Sequence, residues 1–284
     1  MRLSGYLIER YSDMGSAYTC RRLVEEAHAL AMDLSIAGIA DMGKTEDGTL
    51  LFHGEPLAPA DFVVNRYKWG HLVAAANTLA TRSYNSIAPF ARYVDKHAQV
   101  EDISSSAFRM PRWVLAHAGA GFEMLASEVG VPFVAKGLAS SEGREIWLIE
   151  DEDDLARLGQ QVGPDRELLF EQCIEESLGK DIRVFGIRGE AVAAMRRKAE
   201  HGFRANYALG AELEKKEIDR DMRAAVHDVW KETGLDFFGL DLLVDHAGYW
   251  FCEVNVMAGM QGIESVSGVN VAGLVMRTIR DDLA

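Results

Sequence analysis

The chain is poor in cysteine, short of basic charge, and without any long apolar run. Its 3 cysteines, Cys20, Cys173 and Cys252, lie far apart and form no CxxC pair. That excludes a disulfide framework and a cysteine-rich zinc site. Lys and Arg number 30 against 44 Asp and Glu, a net charge of −14. Nucleic acid and anionic membrane surfaces both demand a basic face, so neither is expected as a partner. A basic peptide or an amine remains compatible. No apolar segment reaches the roughly 20 residues that span a bilayer. The opening apolar run is too short for a signal peptide, so the expected location is the cytoplasm. No GxGxxG follows the first expected strand, no HExxH occurs, and there is no Ser/His/Asp signature, internal repeat or low-complexity tract.

What is present is ordinary for a globular protein: 48% hydrophobic and 26% charged residues over 284 positions. That length suffices for two or three small lobes with real cores. The most informative stretch is 239–264. Two apolar runs, 238–244 and 249–254, flank a turn at 245–248 and read as a hairpin. Antiparallel pairing can set Asp241 beside Glu253 and Asn255. Two carboxylates that close repel unless a proton or cation lies between them. With an amide they form a hard-oxygen set suited to magnesium or manganese rather than zinc. An ion-paired hairpin without metal is the alternative on this pattern alone.

Taken in order, the chain predicts strands at 3–8, 34–40 and 61–65, a short run at 50–52, and helices at 17–32 and 70–81. This alternation suggests an α/β unit with a parallel sheet. A single helix is expected from Phe90 to Ile103, carrying Asp95 and Lys96. A βαβ-like stretch follows, with strands at 112–116, 131–136 and 146–149 and helices at 121–129 and 151–159, then a linker at 159–165. Strands at 168–174, 181–187 and 191–197 read as an antiparallel meander, and 198–209 as a polar, basic loop. A helix over 219–233 stops at Gly234, and Asn270 caps a last helix. The loop 137–143 after Lys136 can offer backbone N–H groups to phosphate, or be a solvated turn. Lys96 on a helix reads, on the residues alone, as a solvated lysine. Phe62, Tyr67 and Trp69 read as packing, while Arg66 and Asn85, at strand ends, are candidates to line a cleft.

Several segments then fall in a familiar order. They are Gly179-Lys180-Asp181-Ile182-Arg183, Ala193-Ala194-Met195-Arg196-Arg197, Phe203-Arg204-Ala205-Asn206, Gly239-Leu240-Asp241, Glu253-Val254-Asn255 and Gly262-Ile263-Glu264, with Gly268 and Ala272-Gly273 beyond. Their order and spacing resemble the RimK-like branch of the ATP-grasp ligases. Upstream, Asp95-Lys96, Pro111 and Lys136 fit more loosely, and the first ninety or so residues fit in outline only. The resemblance implies an α/β fold with α+β lobes, of ATP-grasp type. An N-terminal α/β (pre-ATP-grasp) domain would cover 1–90, a linker helix and small lid lobe 91–164, and a C-terminal antiparallel-sheet lobe 165–284.

It also implies an ATP-dependent carboxylate–amine ligase that works through an acyl phosphate and releases ADP and phosphate. Lys96 and Lys136 would contact ATP phosphates, Gln172-Cys173-Ile174 the adenine, and Asp181 the ribose. Arg196, Arg204 and Asn206, with Ala205 between the last two, would face the phosphates or acyl phosphate. Asp241, Glu253 and Asn255 would hold two Mg2+ or Mn2+ ions. The loop 137–143 would be a lid that keeps water from the acyl phosphate. The substrates would be a carboxylate and an amine, such as an amino acid or peptide. Arg183, Arg196 and Arg204 could grip an amino-acid carboxylate. The family is often oligomeric, so a homo-oligomer is an expectation. Three positions depart from the family: Glu145 replaces a phosphate-loop glycine, Gln172-Cys173 stands for Glu-Tyr at the hinge, and Met257-Ala258-Gly259 for Ser-Pro-Gly. A phosphotransferase and a non-catalytic nucleotide-binding regulator stay open as alternatives, the latter favoured by Glu145.

Overall fold

The computed structural model describes residues 2–13, 17–67, 70–139, 145–199 and 211–284. Its N-terminal part alternates as expected: β1 (Ser4–Glu9), α1 (Tyr18–Ala29), β2 (Asp33–Gly38), β3 (Met42–Lys44), β4 (Leu50–Phe52), β5 (Glu55–Pro56), β6 (Ala60–Asn65), α2 (His71–Thr78) and β7 (Ala80–Tyr84). β2, β1, β6 and β7 form a parallel sheet in that order, and β3–β5 form a small sheet of their own. The helix expected over 70–81 ends three residues early, because its last part belongs to β7. Parallel pairing sets Ile8 opposite Asn65, so the residues just beyond, Glu9 and Arg66, emerge side by side. Ligands of such sheets gather at these C-terminal strand ends. Phe62 is fully buried, as its packing role requires. Tyr67 packs at the edge of the core between this sheet and α2, and Trp69 lies outside the described residues.

The helix expected at 90–103 is two helices, α3 (Ile87–Tyr93) and α4 (Lys96–Asp102). The break has a local cause. Asp95 takes an extended backbone conformation, and its side chain accepts from the N–H of His97, capping a new helix. Lys96 therefore opens α4 instead of riding mid-helix.

The small sheet is β8 (Trp113–His117), β9 (Phe133–Lys136), β10 (Ile146–Ile149) and β11 (Glu167–Gln172), ordered β10-β9-β11-β8. Two helices cover it: α5 (Phe122–Val129) and α6 (Glu152–Val162). Two expectations are corrected here. β11 is not the first strand of the meander; it fills the centre of this sheet, antiparallel to β8 and β9. The βαβ-like reading fails with it, since β8 and β9 do not pair. The linker expected from 159 is still helix up to Val162, where Leu155 and Leu158 bury the apolar stripe of α6.

The largest sheet is antiparallel, ordered β14-β13-β12-β15-β16: β12 (Lys180–Ile187), β13 (Glu190–Lys198), β14 (Glu212–Lys215), β15 (Phe237–Asp245) and β16 (Gly248–Asn255). α7 (Arg220–Thr233) covers one face. Its N-terminus is capped by Asp219, and Gly234 leaves it in the left-handed conformation at φ 67°. Met222, Val226 and Val229 bury fully against Ile182, Val184, Leu240 and Leu242. Each such side chain contributes roughly 1.5–3 kcal/mol. α8 (Gln261–Ser267) and α9 (Val271–Leu283) return to the other end. Asn270 caps α9 as expected, accepting from the N–H of Gly273. α9 shares one core with α1, β1 and the ends of β12 and β13. That shared core fixes the strand ends of the parallel sheet against the large sheet. Among the described residues no helix is long and apolar enough to cross a membrane.

Candidate active site

The expected hairpin forms, and its register places Asp241 directly opposite Glu253, with Gly239 opposite Asn255. Alternation puts all three polar side chains on the face away from α7. Asn255 Nδ2 donates to Asp241 Oδ2 and to Glu253 Oε1, both at 3.1 Å, so the three head groups converge on one point. A bulge after Asp241 leaves Cys252 as the extra residue on β16. Its carbonyl then accepts from Lys136 Nζ at 3.2 Å, reaching across from the small sheet.

The neighbouring strands add charge to the same face. Asp181 pairs in register with Arg197, and Arg183 with Asp241. Arg197 grips both oxygens of Asp181 at 2.6 Å and also donates to Asp241 Oδ2 at 2.8 Å. Arg183 forks onto Asp241 with two bonds of 2.7 Å. Lys96 Nζ lies 3.3 Å from Glu253 Oε2, and Lys136 Nζ 2.5 Å from Glu171 Oε2. Burial works against the charge on Asp241, but the two guanidiniums outweigh it and hold the carboxyl at about 2. Burial also opposes Glu253, and Lys96 more than offsets it, so its pKa is lowered too. Both carboxylates are therefore ionised at neutral pH. Asp181 has only one arginine of its own, and burial pushes it up to about 6. Burial works against the charge on Lys136, but the Glu171 carboxylate beside it more than makes up for that and lifts it above the ordinary lysine range.

These groups line one end of a cleft between the small and large sheets. The other end is aliphatic: Val134, Ile146, Ile174, Leu178 and Leu243. Gln172 and Cys173, the expected hinge, form part of that wall with Ile174. Burial, with Glu175 adding to it, pushes the Cys173 thiol up to about 11, so it is no nucleophile at neutral pH. An aliphatic slot opening onto a charged floor suits a molecule with a flat base at one end and phosphates at the other.

Of the expected residues, Lys136, Gln172, Cys173, Ile174, Asp181, Asp241 and Glu253 line this cleft. Lys96 and Asn255 join it through Glu253. Arg196 does not. It lies in register with Ile182 on the α7 face, half exposed and 3.8 Å from Glu214. The residue on the site face is Arg197, which is 3% exposed. Its Nη1 is buried without a hydrogen-bond partner among the described residues. Arg204, Ala205 and Asn206 lie outside the described residues, as do positions 140–143 of the expected lid. Asn85 lines no open cleft. It is 1% exposed and ties the backbones of Phe237 and Val256 together. Arg183, expected to grip a substrate carboxylate, spends two donors on Asp241. Glu171, the counter-ion of Lys136, was not anticipated. Period-2 alternation on β11 was its available signal, since it faces opposite to Phe170. Glu145, the odd anion near the phosphate loop, is held by Arg166 at 2.7 and 2.8 Å, and its side chain fills the space above Gly137. The feature that favoured a non-catalytic reading is thus a neutralised, packed carboxylate.

A model of the RimK-like ATP-grasp domain matches residues 95–279. The chain belongs to that family. A probable alpha-L-glutamate ligase of Thioalkalivibrio sulfidiphilus (strain HL-EbGR7) is 29% identical over 279 residues, 93% of this chain and 92% of the relative. The ATP-grasp ligase PsnB, complexed with a minimal precursor, superposes with a TM-score of 0.74 at 17% identity, covering 99% of each chain. The same ligase with a phosphomimetic variant of the minimal precursor, Mg and ADP gives 0.71 at 16%, covering 100% of each. The ATP-grasp fold expected from the sequence is borne out, and so is the assignment to the ATP-dependent carboxylate–amine ligases.

Proposed function

We propose that this RimK-like chain binds MgATP in the cleft and activates a carboxylate as an acyl phosphate, which an amino acid or peptide amine then displaces. A carboxylate carbon is shielded by its shared negative charge. Attack of its oxygen on the γ-phosphorus expels ADP and leaves a mixed anhydride. The amine then forms the C–N bond as phosphate departs with the C–O pair. Such transfer needs positioning and charge neutralisation more than covalent help from the protein.

The residues supply both. The aliphatic wall and the segment Gln172-Cys173-Ile174 would hold the base, and Asp181 the ribose. Lys136 and Arg197 would meet the phosphates, and Lys96 would join them once Glu253 is otherwise compensated. The donor set fits a hard dication: two ionised carboxylates and an amide converge, and a half-turn of the Asn255 amide presents its oxygen. Asp241, Glu253 and Asn255 would hold magnesium, which when bound supplies charge neutralisation at the phosphates. Arg204 and Asn206 remain candidates for the same phosphates on the strength of the motif.

The observation that carries this reading is the buried Nη1 of Arg197, which has no hydrogen-bond partner among the described residues, on the face that carries Asp241 and Glu253. A buried guanidinium N–H left unpaired is costly, and a phosphate oxygen in the cleft is an acceptor that would satisfy it. The test is ATP turnover with mixtures of amino acids and short peptides, with mass analysis of products. An amide with one ADP per bond is expected. A phosphate ester in its place, or no ADP with any mixture, would defeat the proposal.

A further inference from the structure

The end of β16 that carries Glu253 and Asn255 is held to its own sheet less firmly than the rest of the strand. The bulge at Cys252 interrupts the ladder with β15 just before Glu253, so 253–255 joins 249–251 through an irregular step. β16 is also the edge of its sheet, and its outward backbone groups have no strand beside them. Along 249–251 the backbone of Arg109 takes that place, donating to the Tyr249 carbonyl and accepting from the Phe251 N–H, both at 2.9 Å. At Val254 a side chain does the same.

Gln99 on α4 is 3% exposed and meets this backbone with its whole amide. Its Oε1 accepts from the Val254 N–H at 2.8 Å, and its Nε2 donates to the Val254 carbonyl at 2.9 Å and to the Tyr93 carbonyl at 2.7 Å. The acceptor and both donors are used. Turning the amide over would set N–H against N–H and carbonyl against carbonyl, so it has one orientation. Three residues earlier on the same helix, Lys96 Nζ lies 3.3 Å from Glu253 Oε2, and the Lys96 N–H donates to the Leu138 carbonyl at 2.9 Å. Just past Asn255, the Asn85 amide donates to the Val256 carbonyl at 3.2 Å.

We propose that Gln99 is a positioning residue for the metal ligands. Standing in for a neighbouring strand at Val254, it aims the two side chains on either side, Glu253 and Asn255, at one point. The proposal rests on the assignment of magnesium to these residues. Val254 itself is buried in the core under α7, and alternation turns both its neighbours to the cleft. Any twist of the Val254 backbone therefore moves both head groups relative to Asp241 on the next strand. A misplacement of about 1 Å, even from a change far from the chemistry, can cost a hundredfold. Gln99 does not line the cleft; it acts through Val254.

Gln99→Met keeps the length and the burial and removes all three hydrogen bonds. Gln99→Asn keeps the amide but stops short of Val254, and it carries the test where the methionine variant does not fold. Leu240→Ala, which destabilises the opposite face of the same sheet, is the control. The full chain, in excess over ADP, is titrated with Mn2+, and the bound ion is read by electron paramagnetic resonance. ADP binding without metal is measured alongside. Mn2+ affinity of the ADP complex should fall tenfold or more in Gln99→Met and threefold or more in Gln99→Asn, with an altered line shape in both. ADP binding without metal should stay within twofold, because the aliphatic wall is untouched. A glutamine that only completed the fold would lower stability as Leu240→Ala does and leave the metal alone; Leu240→Ala should keep the wild-type affinity and line shape per folded molecule. A wild-type Mn2+ site in either folded Gln99 variant, or an equal loss in Leu240→Ala, overturns the proposal and leaves the magnesium assignment standing. Absence of bound Mn2+ in the wild-type complex overturns both.

Discussion

The two faces of the large sheet are built on the same strands and obey the same alternation, yet at the cleft they bury opposite things. Toward α7 lie Ile182, Val184, Leu240 and Leu242, all 2% exposed or less. Toward the cleft lie Asp181, Arg183, Arg197, Asp241 and Glu253, with Asp241 at 2% and Arg197 at 3%. The first face stabilises the fold at no electrostatic cost. The second takes charges out of water, and their mutual attraction roughly repays that desolvation at best. Beside these charges the same face also carries Phe185, Ala193 and Met195, buried in the core shared with α1 and α9, so its charged end is not what holds the sheet in place. The charged face is there for chemistry, and the two should fail differently when altered.

The largest effect is expected at Asp241→Asn. It removes one charge from the donor set, leaves Arg183 without its carboxylate and takes one of the two carboxylates from Arg197. Turnover should fall about a thousandfold or more, and stability by about 3–5 kcal/mol. Single-turnover ADP formation and denaturant melts measure the two. Near wild-type turnover would erase the distinction between the faces.

Arg196 and Arg197 sharpen it, being adjacent in sequence and opposite in direction. Arg197→Met should lower kcat about a hundredfold, the cost typical of one missing donor to developing charge. Arg196→Met should stay within about threefold, because an exposed pair with Glu214 is worth under about 1 kcal/mol. Equal losses from both would mean that β13 adopts another register when nucleotide binds.

Leu240→Ala probes the apolar face alone. It should cost about 2–5 kcal/mol by leaving a cavity against α7. The folded fraction should turn over as wild type does, since Leu240 packs into the apolar core under α7, on the face away from the cleft. A matching fall in kcat per folded molecule would show that the faces are mechanically coupled.

How much of this could be read from sequence followed the range of each interaction. The hairpin carrying Asp241 and Glu253 was legible because both strands and their turn lie within 237–255. The stop at Gly234 and the cap at Asn270 were legible because both signals are local. The break at Asp95 was also local, but an apolar period running through both helices masked it. Arg196 and Arg197 could not be told apart, because alternation says only that they face opposite ways. The partner strand decides which faces in, through pairing of Asp181 with Arg197. β11 follows the same logic: its composition is that of any buried strand, and its place between β8 and β9 depends on residues 30 and more positions upstream. The Glu9–Arg66 pair spans 57 residues and arises only because β1 and β6 run parallel and end together.

Charge buried away from the cleft supplies the control, and the smallest effect. Asp282 on α9 accepts from Tyr84 at 2.5 Å and pairs with Arg82 at 2.7 Å and Arg188 at 2.8 Å, tying the last helix to β7. These charges have a structural job and touch no cavity of the site. Hydrogen bonding from Arg188 lowers Asp282 from 3.8 to about 2. A carboxyl depressed in the fold adds stability above its unfolded value and loses it as pH falls through the folded one. The contribution should be whole above pH ~4 and gone below pH ~2, and with partial solvent screening it amounts to about 1 kcal/mol. Melting wild type and Asp282→Asn across that range should show a gap of about 2–4 °C at neutral pH that closes as acid is added. Turnover per folded molecule should not change at neutral pH. If Asp282→Asn instead slowed catalysis as Arg197→Met does, buried charge in this protein would matter wherever it sits, and the contrast between the two faces of the sheet would lose its meaning.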